Sequence, residues 1–216
     1  MKKILFVNGS PRKGSSNSEH LVGLLRDKLG KENTYDEIYA ADGSDAEVKC
    51  AQADAIVVAF PLYVDSLPHH LIRWLCSFRA ALKGTVPSAT PLYAVANCGF
   101  YEGTQNALAL EILKNFCAEC GLSWRGGVGI GTGEMLKAVK DAPEDMWIKR
   151  DVSLAINGLV AEIRKTLNDG AQGVYGPIFT QHGFPRFLYK LAGEQGWRQM
   201  LKANGVKTSE LKARPY

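Results

Sequence analysis

Long apolar runs are missing from this chain of 216 residues, and none approaches the eighteen or so residues that cross a bilayer, so an integral membrane protein is not expected. Lys2 and Lys3 give a positive start, but the apolar run behind them ends at Val7 without a small-residue cleavage site, which argues against export. Cysteine is scarce and odd in number: Cys50, Cys76, Cys98, Cys117 and Cys120 are scattered, which suits a reducing cytoplasm better than a disulfide framework. Cys117 and Cys120 have C-x-x-C spacing, yet a second pair and a neighbouring histidine are both lacking, so no metal site is expected. Packed thiols are the default there, with a redox pair as the second reading. Charge of one sign is also lacking over most of the chain. From Gln181 to Tyr216 seven Lys or Arg face Glu194 and Glu210, so the net charge of +4 leaves the rest at about −1, and no nucleic-acid partner is expected.

What the chain does have begins at Lys3. Ile4 to Val7 form an apolar run suited to a strand buried on both faces of a parallel sheet, and Asn8-Gly9 ends it. Ser10 to Ser18 then bring hydroxyls, backbone N–H groups and the Arg12 guanidinium to the start of an apolar-periodic segment, Leu21, Leu24, Leu25 and Leu29. Unpaired N–H groups and the helix dipole favour an anion at such a place. The spacing is not that of a Walker A loop, because Ser15 stands where its lysine must be, and no second glycine follows Gly9 two residues on, as a dinucleotide fingerprint requires. A terminal phosphomonoester site remains. The plain alternative is a Ser/Gly turn in which Ser18 caps the helix.

Further along, weak strand character at Tyr35–Tyr39 precedes a connection over 42–53 that has room for a short helix. Ala55–Phe60 predicts a strand closed by Pro61, Leu67–Leu82 a helix, Pro91–Ala96 a strand, and Thr104–Cys120 a helix stopped by Gly121. Trp124–Ile130 reads as a glycine-interrupted strand and Pro143–Leu167 as a closing helix. Regular alternation gives an α/β domain over 1–170 with a doubly wound, five-stranded parallel sheet in the order 2-1-3-4-5, followed by a basic helical tail over 171–216. In the tail, Phe184, Phe187, Leu188 and Leu191, then Trp197, Met200 and Leu201, predict two short amphipathic helices around Gly193 and Gly196. Packing on the domain or a sister subunit, a lid or basic contact for a nucleotide phosphate, and docking on an anionic membrane surface are the uses open to it.

Three loops should meet at the carboxyl ends of the strands. Pro61 to Pro68 (PLYVDSLP) offers an aromatic ring and small polar groups beside the phosphate site, as a flat conjugated cofactor needs, although it also reads as a cap over strand three. Asn97 to Gly103 (NCGFYEG) offers glycine-relieved N–H donors. His69 and His70, at a helix start, read as solvated or capping.

With GSPRKGSSNS at 9–18, PLYVDSLP at 61–68 and the framework from NCGFYEG to GIGTGE at 97–134, the chain resembles the NAD(P)H-dependent FMN reductase superfamily of flavodoxin-like proteins. The likeness covers roughly the first 165 residues. It lies in the branch that includes iron–sulfur flavoproteins, whose cysteine cluster before the third strand is reduced here to Cys50. The resemblance implies that Ser10, Arg12, Ser16, Asn17 and Ser18 hold the FMN phosphate, that Pro61, Leu62, Tyr63, Val64, Asp65 and Ser66 run along the isoalloxazine, and that Asn97, Cys98, Gly99, Phe100 and Tyr101 lie near its other edge. It also implies a dimer or higher oligomer, and hydride passing from NAD(P)H through FMN to a small acceptor such as a quinone, nitroaromatic, flavin or metal ion. No acid–base side chain and no resident metal is assigned. A flavin-binding electron carrier or redox sensor is the alternative.

Overall fold

Alternate residues of the central strands enter different cores, which is why these strands read as unbroken apolar runs. Leu5, Val7, Ile56, Val58 and Phe60 pack on one side with Leu71, Trp74 and Phe78, whereas Ile4, Phe6, Val57, Tyr93 and Val95 pack on the other with Leu21, Leu25, Ile156 and Ile163. The computed structural model of the chain describes residues 1–42, 49–50, 52–81, 89–170, 173–207 and 210. The expected connection over 42–53 falls largely outside them.

Six strands form one parallel sheet: β1 (Lys3–Asn8), β2 (Thr34–Tyr39), β3 (Ala55–Pro61), β4 (Pro91–Asn97), β5 (Ser123–Ile130) and β6 (Tyr175–Thr180), in the order β2-β1-β3-β4-β5-β6. Helices α1 (Asn17–Leu29) and α5 (Arg150–Asp169) contribute to one core. The other is covered by α2 (His69–Ala81) and by α3 (Ala107–Cys120), which is preceded by a 3-10 turn over Gly103–Asn106. The four-residue α4 (Met135–Ala138) follows β5.

The expected order 2-1-3-4-5 is present, but the five-stranded expectation is corrected to six. Tyr175–Thr180 falls within the expected helical tail, whereas at the edge of a sheet Pro177 removes no inner ladder bond. The register with β5 shifts between Gly126 and Val128, so Pro177 lies at that irregularity. Closing helix α5 starts at Arg150 rather than 143, because 143–149 fold into turns that Lys149 closes by donating to the carbonyls of Lys140 at 2.8 Å and Ala142 at 3.0 Å. The N-cap of α1 is Ser16, whose Oγ accepts from the N–H of Glu19 at 3.0 Å, not Ser18.

The chain divides into two units, Met1–His182 and Gly183–Tyr216. In the second, α6 (Arg186–Ala203) is one continuous helix through Gly193 and Gly196 instead of two short ones, and none of its residues is buried. Continuity turns Trp197 about a third of a turn away from Leu191, so the apolar clusters of its halves lie on different sides. Among the described residues, no helix is long and apolar enough to cross a membrane.

Candidate functional site at the carboxyl ends of β1, β3 and β4

Pairing brings the strand ends level. Asn8 lies opposite Ala59, Pro61 opposite Asn97, and Asn97 opposite Ile130, so the loops that follow open along one edge. Asn97 ties them together. It is only 3% exposed, its Nδ2 donates to the Phe60 carbonyl at 3.0 Å and to Ser18 Oγ at 3.5 Å, and its own carbonyl accepts from the Leu62 N–H at 2.8 Å. One side chain thus links the end of β4, the end of β3 and the first turn of α1.

The first loop begins at Gly9, where an added Cβ would lie 2.8 Å from Phe60 Cβ and 2.9 Å from Leu71 Cδ2, so no side chain fits between strand and helix. Two local bonds then coil the chain: Ser10 N–H donates to Asn8 Oδ1 at 3.1 Å, and Arg12 N–H donates to Ser10 Oγ at 3.2 Å. Ser10, Ser16 and Ser18 are buried, and each hydroxyl oxygen accepts a bond, which leaves its O–H proton to donate. Asn17 Nδ2 reaches across to the Gly133 carbonyl at 2.9 Å. The Arg12 side chain is exposed and has no hydrogen bond or ion pair among the described residues, and there too the N–H groups of Asn17 and Ser18 have no acceptor. By contrast, Lys13 pairs with Asp42.

The second loop stands up as a tight turn. Tyr63 and Ser66 exchange two backbone bonds of 3.0 Å, with Val64 at φ 49° and Asp65 at φ 56° between them. A β-branched residue in this region is strained, and such strain gathers at ligand sites. Val64 is 97% and Tyr63 41% exposed, so the turn presents apolar surface at the strand ends.

In the third loop Phe100 is 54% exposed, whereas Cys98 is buried behind it, with its thiol pushed up by burial. Asn106 Nδ2 donates to the Gly103 carbonyl at 2.9 Å and to Cys98 Sγ at 3.4 Å. The loop is pinned from the end of β5 by the N–H of Thr132 to the Phe100 carbonyl at 2.6 Å and of Gly133 to the Cys98 carbonyl at 2.7 Å. This approach needs glycine at 131, since a Cβ there would stand 2.2 Å from the Tyr101 carbonyl oxygen. Thr132, at φ 53°, is buttressed in turn: its Oγ1 accepts from the His182 N–H at 2.9 Å and lies 2.9 Å from His182 Nδ1. Burial first, and then the charge of Lys149, pushes the His182 imidazole down to about 4.

The structure therefore brings all three sequence-derived segments to one edge, but in different capacities. Arg12, Tyr63, Val64 and Phe100 face outward, while Asn97 and Cys98 hold the loops from behind, Asn97 by donating to Ser18 Oγ and the Phe60 carbonyl. Thr132, Gly133, Lys137 and His182 also build the site. The glycine-rich GIGTGE points to the first two, but no local signal ties His182 to Thr132. A cavity of about 350 Å³ opens at the other end of the sheet, lined by Lys2, Asp54, Pro91, Arg125 and Thr166. There Lys2 lies 3.2 Å from Asp54 and Arg125 Nη1 donates to the Gly173 carbonyl at 3.0 Å, while Arg125 Nε and Thr166 Oγ1 are buried without a partner among the described residues. Ligands of open α/β sheets bind at the carboxyl end instead.

Strand order 2-1-3-4-5 with an open switch point between β1 and β3 decides the architecture. The fold is flavodoxin-like. Solved structures agree on the fold. An NADH:FMN oxidoreductase in its apo form superposes with TM-score 0.58 at 17% identity, covering 82% of this chain and 97% of that one. An azoreductase from Bacillus anthracis str. Sterne gives 0.52 at 14% identity, covering 76% and 98%. An NADPH-quinone reductase from P. pentosaceus gives 0.52 at 15% identity, covering 74% and 98%. No family model and no curated protein matches the chain.

Proposed function

We propose that the protein is an FMN-dependent NAD(P)H oxidoreductase that passes hydride to a small acceptor. The observation that carries this is the phosphate turn. Among the described residues an unpaired Arg12, two N–H groups of α1 without acceptors and three accepting serine hydroxyls lie at one strand end, next to the exposed apolar groups of Tyr63, Val64 and Phe100. This donor set fits a terminal phosphate, and the apolar edge fits a conjugated ring. FMN, when bound, supplies the two-electron chemistry.

The residues of the chain bind and orient. Ser10, Arg12, Ser16, Asn17 and Ser18 grip the phosphate end, with the Ser18 hydroxyl kept in place by Asn97. The Pro61–Ser66 turn forms one wall along the ring, and Gly99, Phe100 and Tyr101 lie at its other edge. Such a reaction needs alignment of two rings rather than a proton carrier, and no side chain is assigned as acid or base. The similar structures are of an NADH:FMN oxidoreductase, an azoreductase and an NADPH-quinone reductase, which supports the reaction class. Five unbridged cysteines support a reducing cytoplasm. A homodimer or higher oligomer is part of the same reading.

Calorimetric titration with FMN, followed by anaerobic addition of NADH or NADPH, tests it. FMN binding and bleaching of its absorbance are expected. Arg12→Ala should weaken FMN binding about ten- to a hundredfold, the effect of a charge-assisted bond to phosphate. Protein indifferent to FMN would reject the reading, and flavin binding without bleaching would leave an electron carrier.

A further inference from the structure

The segment after β5 delivers another cation to the phosphate turn. Lys137, in α4, is exposed, and its Nζ donates to the carbonyl of Ser15, the residue before the N-cap Ser16. Among the described residues it forms no ion pair with a carboxylate. The segment that carries it is anchored immediately before α4, over residues 131–133. Asn17 Nδ2 holds the Gly133 carbonyl at 2.9 Å, while the Gly131 N–H donates to the Thr180 carbonyl at 2.8 Å and Thr132 is bonded to His182. The ammonium is therefore placed beside the turn by its scaffold.

That placement is electrostatically unfavourable on its own. A cation at a helix N-terminus faces the positive end of the dipole, where an anion belongs. Arg12 is also unpaired there, and half-buried His20, one turn into α1, is pushed down by burial and then by the charges of Lys137, Lys149 and Lys140. The first turn offers one carboxylate, Glu19, whose Oε1 already accepts from the Tyr39 hydroxyl at 3.1 Å. Positive charge has accumulated where a bound dianion would neutralise it.

Resting on the flavin reading above, we infer that Lys137 is a phosphate-binding residue, a cation that acts with Arg12 on the terminal phosphomonoester of FMN. One of its three ammonium protons meets Ser15, and the other two are left for phosphate oxygens. A point charge serves here without the planar fork of an arginine.

FMN and riboflavin share ring and ribityl chain and differ in the phosphate, so the ratio of their affinities isolates this contact. Flavin-fluorescence titrations of the full-length protein at low salt are compared for wild type, Lys137→Ala and Lys137→Arg. The alanine variant should lose about tenfold in FMN affinity with riboflavin unchanged, and arginine should restore most of it. The FMN loss should shrink as salt is raised. Equal losses for both flavins would make Lys137 a clamp on the loop and overturn the assignment, as would an unchanged FMN affinity. If riboflavin binds too weakly to titrate, competition by inorganic phosphate replaces it: weaker competition in the alanine variant supports the assignment, and equal competition overturns it. Wild-type protein that binds neither flavin overturns the reading beneath it as well.

Discussion

Asn97 and His182 show how single side chains hold the loops of this site. Removing the Asn97 amide would leave the Phe60 carbonyl and Ser18 hydroxyl without their donor in a buried place. Asn97→Ala should therefore cost about 2 kcal/mol in urea unfolding, and FMN affinity should fall with it. His182 acts through pH. Its folded value lies near 4 against the ordinary 6.5, so between these limits the unfolded chain binds the extra proton, and stability falls as pH drops through that window. The full loss is on the order of 3 kcal/mol, with half-buried His20 contributing in the same direction. Urea midpoints measured from about pH 7.5 down to about pH 4.5 should fall for wild type, and less steeply for His182→Asn. Arg12 stands out in the sequence as a cation among glycine and serine after an apolar strand, and the structure leaves its side chain exposed at that strand end. Asn97 was legible as part of the site but not as its internal strut, since burial is a property of the assembled fold. The bond from His182 to Thr132 spans fifty residues and leaves no local pattern.

At the level of elements, the strands that could be read directly were those buried on both faces. β1, β3 and β4 are continuous apolar runs, and their alternate residues feed two cores. β6 escaped because its partner, not its own sequence, makes it a strand: β5 is glycine-rich where β6 approaches. At Gly129 an added Cβ would lie 2.8 Å from Phe179 Cδ1 and 2.9 Å from Asn106 Cβ, so this glycine lets β6 and the 3-10 turn close on β5. Gly129→Ala should destabilise the protein by about 1–3 kcal/mol. Gly23, within α1, meets nothing within 4 Å, and Gly23→Ala should stabilise by about 0.5–1 kcal/mol. Opposite signs in chemical denaturation would show that one glycine serves packing and the other does not. The same tertiary dependence explains α6. Gly193 and Gly196 weaken a helix without forbidding it, so composition suggested a break where the backbone runs through.

At the scale of the whole molecule, charge is unevenly divided between the two units. Gly183–Tyr216 carries the seven Lys or Arg and two Glu counted in the tail, so Met1–His182 is near neutral at about −1. The cationic turn around Arg12 and Lys137 is therefore a local feature of the first unit rather than an effect of net charge. Among the described residues, both cores also lie within Met1–His182, and α6 buries none of its own residues. A chain ending at His182 should then unfold cooperatively with Tm within about 4 °C of the full chain. It should bind FMN with an affinity within about twofold of it, and with the same dependence on salt. A lid acting on NADPH predicts something different: unchanged FMN binding with a raised KM for NADPH relative to NADH. Measuring Tm, FMN affinity and both nicotinamide KM values on the one truncation separates these cases. A collapse of FMN affinity would mean that the cradle extends beyond the residues assigned to it.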